Sequence, residues 1–150
     1  MQSFTEILRF LLLGLLAVLL LLGFGLWQAR HLESAAVDLS LSVTEQVLAN
    51  HNLQSLTDLS HPSLQSSMSE DYWQRYLALL ERLGSLELIA AIDGDSNVPV
   101  LVMLPADYTA SYKLASEFSN GAATVSVALI YSEGKWQIAG FQVDSPLTNE

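Results

Sequence analysis

From Phe10 to Trp27 the chain reads FLLLGLLAVLLLLGFGLW, an unbroken apolar run that contains no charge. A helix rises about 1.5 Å per residue, so such a run covers most of a ~30 Å hydrocarbon core, and Ile7, Leu8 and Gln28 can complete the crossing. No polar face interrupts it, which fits poorly with a helix packed on one side of a globular core. The run predicts a single membrane anchor over residues 1–29, short head included, and a domain over residues 30–150 held at one membrane face. The rival reading is a cleaved signal peptide. Arg9 precedes the run and Gly23-Phe24-Gly25 offers small residues at the two cleavage positions, but the run exceeds the ~7–15 residue apolar core of such a peptide.

Orientation rests on little charge, because Arg9 and the amino terminus on one side are nearly matched by Arg30 on the other. A short head before a long domain suits a signal anchor whose head stays in the cytoplasm. This places residues 30–150 in the periplasm or outside the cell, tethered to the cytoplasmic (inner) membrane. About 120 residues then remain for folding, enough for one compact domain.

The formal net charge is -10, and beyond the anchor only Arg30, Arg75, Arg82, Lys113 and Lys135 are positive. Such a surface repels phosphate backbones, which argues against nucleic acid as a partner. No polybasic segment flanks the anchor to hold anionic lipid. The chain has no cysteine, so disulfides, thiolate metal sites, cysteine nucleophiles and lipidation through cysteine are excluded.

Past the anchor, Leu32, Ala36, Leu39, Val43 and Val47 recur at spacings of three and four, one stripe of a helix that Leu41 and Leu48 widen. No glycine or proline separates this helix from the anchor, so the two run on continuously or meet at a bend near Arg30. Leu53, Leu56 and Leu59 predict a short helix that stops before His61-Pro62. Ser66-Ser67-Met68-Ser69 followed by Glu70 and Asp71 marks the start of a third helix, with Trp73, Tyr76, Leu77, Leu80 and Leu83 on one face and Gly84 as its stop.

The texture then changes to strands: Leu86 to Ile92, Val98 to Leu104 with Pro99 inside it, Tyr108 to Phe118, Ala122 to Tyr131 and Lys135 to Val143. The third of these alternates strictly, with Tyr108, Ala110, Tyr112, Leu114 and Phe118 on its core phase. Asn120-Gly121 predicts a tight hairpin, and Ser132-Glu133-Gly134 a second turn. In the last strand Trp136 and Ile138 fall on one phase and Phe141 and Val143 on the other, and a bulge at Ala139-Gly140 restores both pairs to the core.

Phe118, Asn120, Gly121, Gly134, Lys135, Trp136, Ile138, Gly140, Phe141 and Val143 form a pattern F-x-N-G, a hydrophobic strand, G-K-W-x-I and G-F-x-V. With helices first and a meander last, it resembles the nuclear transport factor two-like, or cystatin-like, superfamily, including uncharacterised bacterial anchored envelope domains. The resemblance implies an α+β roll whose curved antiparallel sheet wraps a long helix, often with a conical pocket and often dimeric. It spans isomerases, dehydratases, binding modules and assembly domains, so it implies no single function.

Candidate chemistry is sparse. His31, His51 and His61 lack the i, i+4 spacing of a helical metal site. Asp93-Gly94-Asp95-Ser96-Asn97 opens like a calcium loop, but Val98 stands where glycine is required and Leu104 where the closing acid belongs, so it reads as a turn between strands. An isomerase-like site would need a carboxylate and acidic hydroxyls in an apolar pocket. Asp71, Asp107, Tyr72, Tyr76, Tyr108 and Tyr112 supply the parts, yet Tyr76, Tyr108 and Tyr112 are explained by core packing with their hydroxyls at the rim. Trp73 and Trp136 read as core residues and Trp27 as an interfacial belt residue.

One feature departs from ordinary surface chemistry. No charge occurs between Phe118 and Glu133, and the strand face opposite Val125, Val127 and Leu129 reads Ala122, Thr124, Ser126, Ala128, Ile130. Small uncharged side chains suit a face covered by another surface. The sequence therefore points to a non-enzymatic anchored domain that acts by protein interaction, with membrane lipid around residues 10–27 and another membrane protein or a second copy as partner. The alternatives are a module holding a small apolar ligand in a cone lined by Trp73, Tyr76, Tyr108 and Tyr112, and, third, an isomerase- or dehydratase-like enzyme. No cofactor is expected.

Overall fold

A computed structural model describes residues 2–51, 53–99 and 107–146. The chain is α+β, with helices first and a curved antiparallel sheet last. Helix α1 (Gln2–Asn50) is unbroken for 49 residues, so the apolar run and the amphipathic stripe are one rod of about 74 Å. Its apolar part is long and apolar enough to cross a membrane. The most apolar 18-residue window has a mean hydropathy of 2.7, and none of it is buried within the domain.

The carboxyl-terminal half of α1 enters the core. Ala36, Val43, Val47 and Leu48 are buried, with Ser40 and Thr44 in the middle of the stripe. Those two hydroxyls are hidden at little cost because each donates to the carbonyl four residues back, Ser40 to Ala36 at 2.9 Å and Thr44 to Ser40 at 2.7 Å. Leu39 and Leu41 flank the stripe and are half-buried.

Helix α2 (Leu53–Leu59) stops before the proline as its sequence predicts, and buries Leu56. Pro62 also starts a helix that the sequence reading lacks: α3 (Pro62–Ser67) has Pro62 in its first turn, where the missing N–H goes unused, and His61 as its N-cap. The His61 ring accepts the Ser63 N–H at 3.3 Å. Ser66 and Ser67 therefore end α3, and Ser69 alone caps α4 (Glu70–Leu83) by accepting the Tyr72 N–H. Gly84, at φ 82 and ψ -154, stops α4 in an extended positive-φ conformation open to glycine.

Strands β1 (Leu86–Ser96), β2 (Tyr108–Phe118), β3 (Gly121–Ser132) and β4 (Lys135–Asp144) form a simple meander in the order β1-β2-β3-β4. Asp93–Ser96 is part of β1, not a turn: Asp93 pairs with Lys113 and Ser96 with Ala110. Gly94 permits this, because a Cβ there would meet the Ser111 carbonyl oxygen at 2.1 Å. Most of the strand expected from Val98 to Leu104 lies outside the described residues, and Val98 and Pro99 belong to no strand.

Strand β2 alternates buried and exposed along its whole length, and Ala123, Val125, Val127 and Leu129 of β3 point inward beside it. In β4 the register slips by one residue at Ala139: Leu129 faces Ile138, whereas Ala128 faces Gly140. Trp136, Ile138, Phe141 and Val143 are accordingly all buried. The β2–β3 hairpin closes one residue earlier than expected, through Ser119 and Asn120, neither of which has a positive φ. Asn120 is drawn to the end of α4, donating from Nδ2 to the Arg82 carbonyl at 3.0 Å and from its backbone to that of Leu83 at 3.1 Å. At the other turn Glu133 (φ 54) and Gly134 (φ 81) are both left-handed, as a type I′ turn requires.

Candidate functional site

The inner face of the sheet is closed by helices. Trp136 donates from Nε1 to the Leu32 carbonyl at 2.9 Å, which fixes α1 to the start of β4. Tyr131 lies against Tyr108 (5.7 Å, 21°) and edge-on to Trp136 (5.3 Å, 67°), filling that end of the roll. Toward the other end Tyr76 meets Phe141 edge-on, with ring centroids 6.1 Å apart.

The four residues expected to line a conical pocket do not share one. Trp73 is half-buried, edge-on to Tyr72 and Tyr76. Tyr108 belongs to the aromatic cluster at the far end. Tyr76 and Tyr112 are core residues, but their hydroxyls are not at the rim. Both oxygens are buried; that of Tyr76 has no hydrogen-bond partner, and that of Tyr112 has none within hydrogen-bond distance, the Ser96 hydroxyl lying nearby. Burial pushes the Tyr76 hydroxyl well above its ordinary pKa, and the neighbouring Tyr72 adds to this. Tyr112 is raised too, by burial first and then by Glu33 and Asp95, against a lowering by the Ser96 hydroxyl.

Of the parts for acid–base chemistry, Asp71 and Asp107 are exposed, whereas the Tyr76 and Tyr112 hydroxyls are buried. Tyr72 spends its hydroxyl on the Phe141 carbonyl at 3.4 Å. Among the described residues no three His, Cys, Asp or Glu side chains gather as a metal site would require. Trp27 projects freely, 64% exposed, and stacks on His31 at 5.9 Å and 4°.

The outer face of β3 matches its expected position. Ala122, Thr124 and Ala128 are exposed and Ser126 and Ile130 half-exposed, directly behind the buried Ala123, Val125, Val127 and Leu129. Across the ladder Ser126 faces Lys113 and Gln142, and Ala128 faces Ser111 and Gly140. The uncharged strip therefore runs along an inner strand of the sheet, and the charges of the sheet lie on β1, β2 and β4.

A cleft does lie between α4, the third helix of the sequence reading, and the sheet, but of the four residues expected to line a cone there only Tyr76 borders it. It has a volume of about 660 Å³, with Leu64, Tyr72, Arg75, Tyr76 and Leu79 on its helical side and residues 126–128 and 140–143 on its sheet side. The spacing of Tyr72, Arg75, Tyr76 and Leu79, at i, i+3, i+4 and i+7, marks a second face of α4 beside its core stripe, and this is the signal that could have found it. Comparison with protein-family models, with curated proteins and with solved structures finds no match for the chain.

Proposed function

We propose that this chain is a single-pass, membrane-anchored envelope protein whose domain, outside the cytoplasm, acts by docking another protein on the outer face of its sheet. The partner is a subunit of a membrane complex, which this chain would accompany or help assemble, or a second copy. The observation that carries the reading is the strip Ala122, Thr124, Ser126, Ala128 and Ile130, solvent-facing yet uncharged in a chain of net charge -10. Protein interfaces are depleted of charge at their cores, whereas a face meant for water normally carries it. The unburied apolar part of α1 supports the anchor. Helices followed by a four-stranded meander support the nuclear transport factor two-like resemblance.

Replacing Thr124 and Ser126 by Lys puts two cations in the middle of the strip. The expected outcome is loss of the associated species in native mass measurement after mild-detergent extraction, with the domain still folded. An unchanged oligomeric state or partner complement would sink the proposal, and so would a wild-type chain that extracts as a lone monomer.

A further inference from the structure

The cleft between α4 and β4 is distinct from the uncharged strip, although Ser126 and Ala128 border both. Arg75 is the only charged residue that lines it, and no carboxylate does, in a chain with 16 acidic residues against six basic ones. Among the described residues Arg75 makes no ion pair. Arg75 is exposed on α4, so water solvates its guanidinium in the free protein; its five donors form a planar fork that matches a carboxylate or phosphate, and a ligand lying on the apolar walls beside it brings an anionic head within reach. Leu64, Leu79, Phe141 and Val143 supply those walls. The volume falls within the ~300–1,000 Å³ range of small-molecule sites.

We propose that this cleft binds an amphipathic anion, with the carboxylate or phosphate head on Arg75 and the apolar tail along Leu79 and β4. Charge complementarity selects this class. A neutral apolar ligand gains nothing from this exposed guanidinium, and a cation is repelled by it. Of the residues expected to line an apolar cone between the third helix and the sheet it shares only Tyr76, since Trp73, Tyr108 and Tyr112 lie outside its lining. Its test is independent of docking at the β3 strip, because Arg75 is on α4 and outside the strip, whereas Ser126 borders both.

The test uses the full chain in lipid nanodiscs and three photoactivatable probes: a diazirine fatty acid, the fatty alcohol of the same chain length, and a diazirine phosphatidylglycerol. Crosslinks are mapped by peptide mass. The anionic probes should label α4 and β4 at least about threefold more than the alcohol does, and Arg75→Glu should remove that excess while Arg75→Lys keeps part of it. Whichever anionic probe labels more strongly identifies the source as a free amphiphile or a membrane lipid. Equal labelling by the alcohol, an excess that survives Arg75→Glu, or crosslinks confined to residues 10–27 would overturn the proposal. Far-ultraviolet circular dichroism of both variants establishes that a lost crosslink is not a lost fold.

Discussion

Tyr76 and Tyr112 carry the clearest consequence at the scale of single residues. A tyrosine whose hydroxyl is buried without a partner is held neutral in the folded chain, and its pKa rises above the ordinary 10.0. Between the unfolded and folded pKa the native state binds the extra proton, so the stability from the neutral form is complete below about pH 10 and is lost as the pH climbs further. Tyr76→Phe removes a hydroxyl without a partner, and Tyr112→Phe one whose nearest polar neighbour, Ser96, forms no close hydrogen bond with it, so both changes are expected to be nearly neutral or stabilising. Denaturant titrations should show stability at neutral pH unchanged or raised, with a shallower loss toward about pH 11 than in the parent. A drop of more than about 1.5 kcal/mol at neutral pH would mean that each hydroxyl has a partner in solution.

At the scale of elements, β4 tests the bulge. Ile138 and Phe141 both face the core only because Ala139 is left out of the ladder. Deleting Ala139 leaves Ile138, Gly140, Phe141, Gln142 and Val143 in plain alternation, and every inward residue stays inward. Deleting Gln142 instead turns Val143 toward solvent. Thermal melts should therefore find the first deletion folded and the second the more destabilised; the opposite order would refute the pairing.

The same strands show what the sequence makes legible. Period-two alternation located β2 to the residue, and the slipped phase of Trp136 and Phe141 located the bulge, because both are local patterns of side-chain direction. The β2–β3 turn was displaced because Asn120 is claimed by α4, a contact 38 residues away in the chain. The continuation of β1 through Asp93–Ser96 was hidden because acids and glycine imitate a turn unless a neighbouring strand is seen to require the glycine. Ser40 and Thr44 escaped the core stripe because their polarity masks a back-bonded hydroxyl. The uncharged strip was legible as a gap in the charge pattern. The lining of the cleft was not, since Tyr72 and Phe141 meet across 69 residues of sequence.

At the scale of the whole molecule, the apolar run and the domain share one helix. The apolar run ends at Trp27, and the first tertiary hydrogen bond of the helix, from Trp136 to Leu32, comes five residues or about 7.5 Å later. If residues 10–27 stay in the bilayer, the intact mass of protein recovered from membranes will include them, and alkaline carbonate will not release it. A mature chain beginning near Leu26, found in the soluble fraction, would contradict the anchor.

An unbroken helix also leaves the tether no swivel. Each residue added between Gln28 and His31 would turn the domain by about 100° around the axis of its own stalk, with barely a change in height. The β3 strip thus has a fixed compass bearing with respect to the faces of the apolar run. A neighbour that grips both must approach from one azimuth, as a key enters a lock that does not rotate.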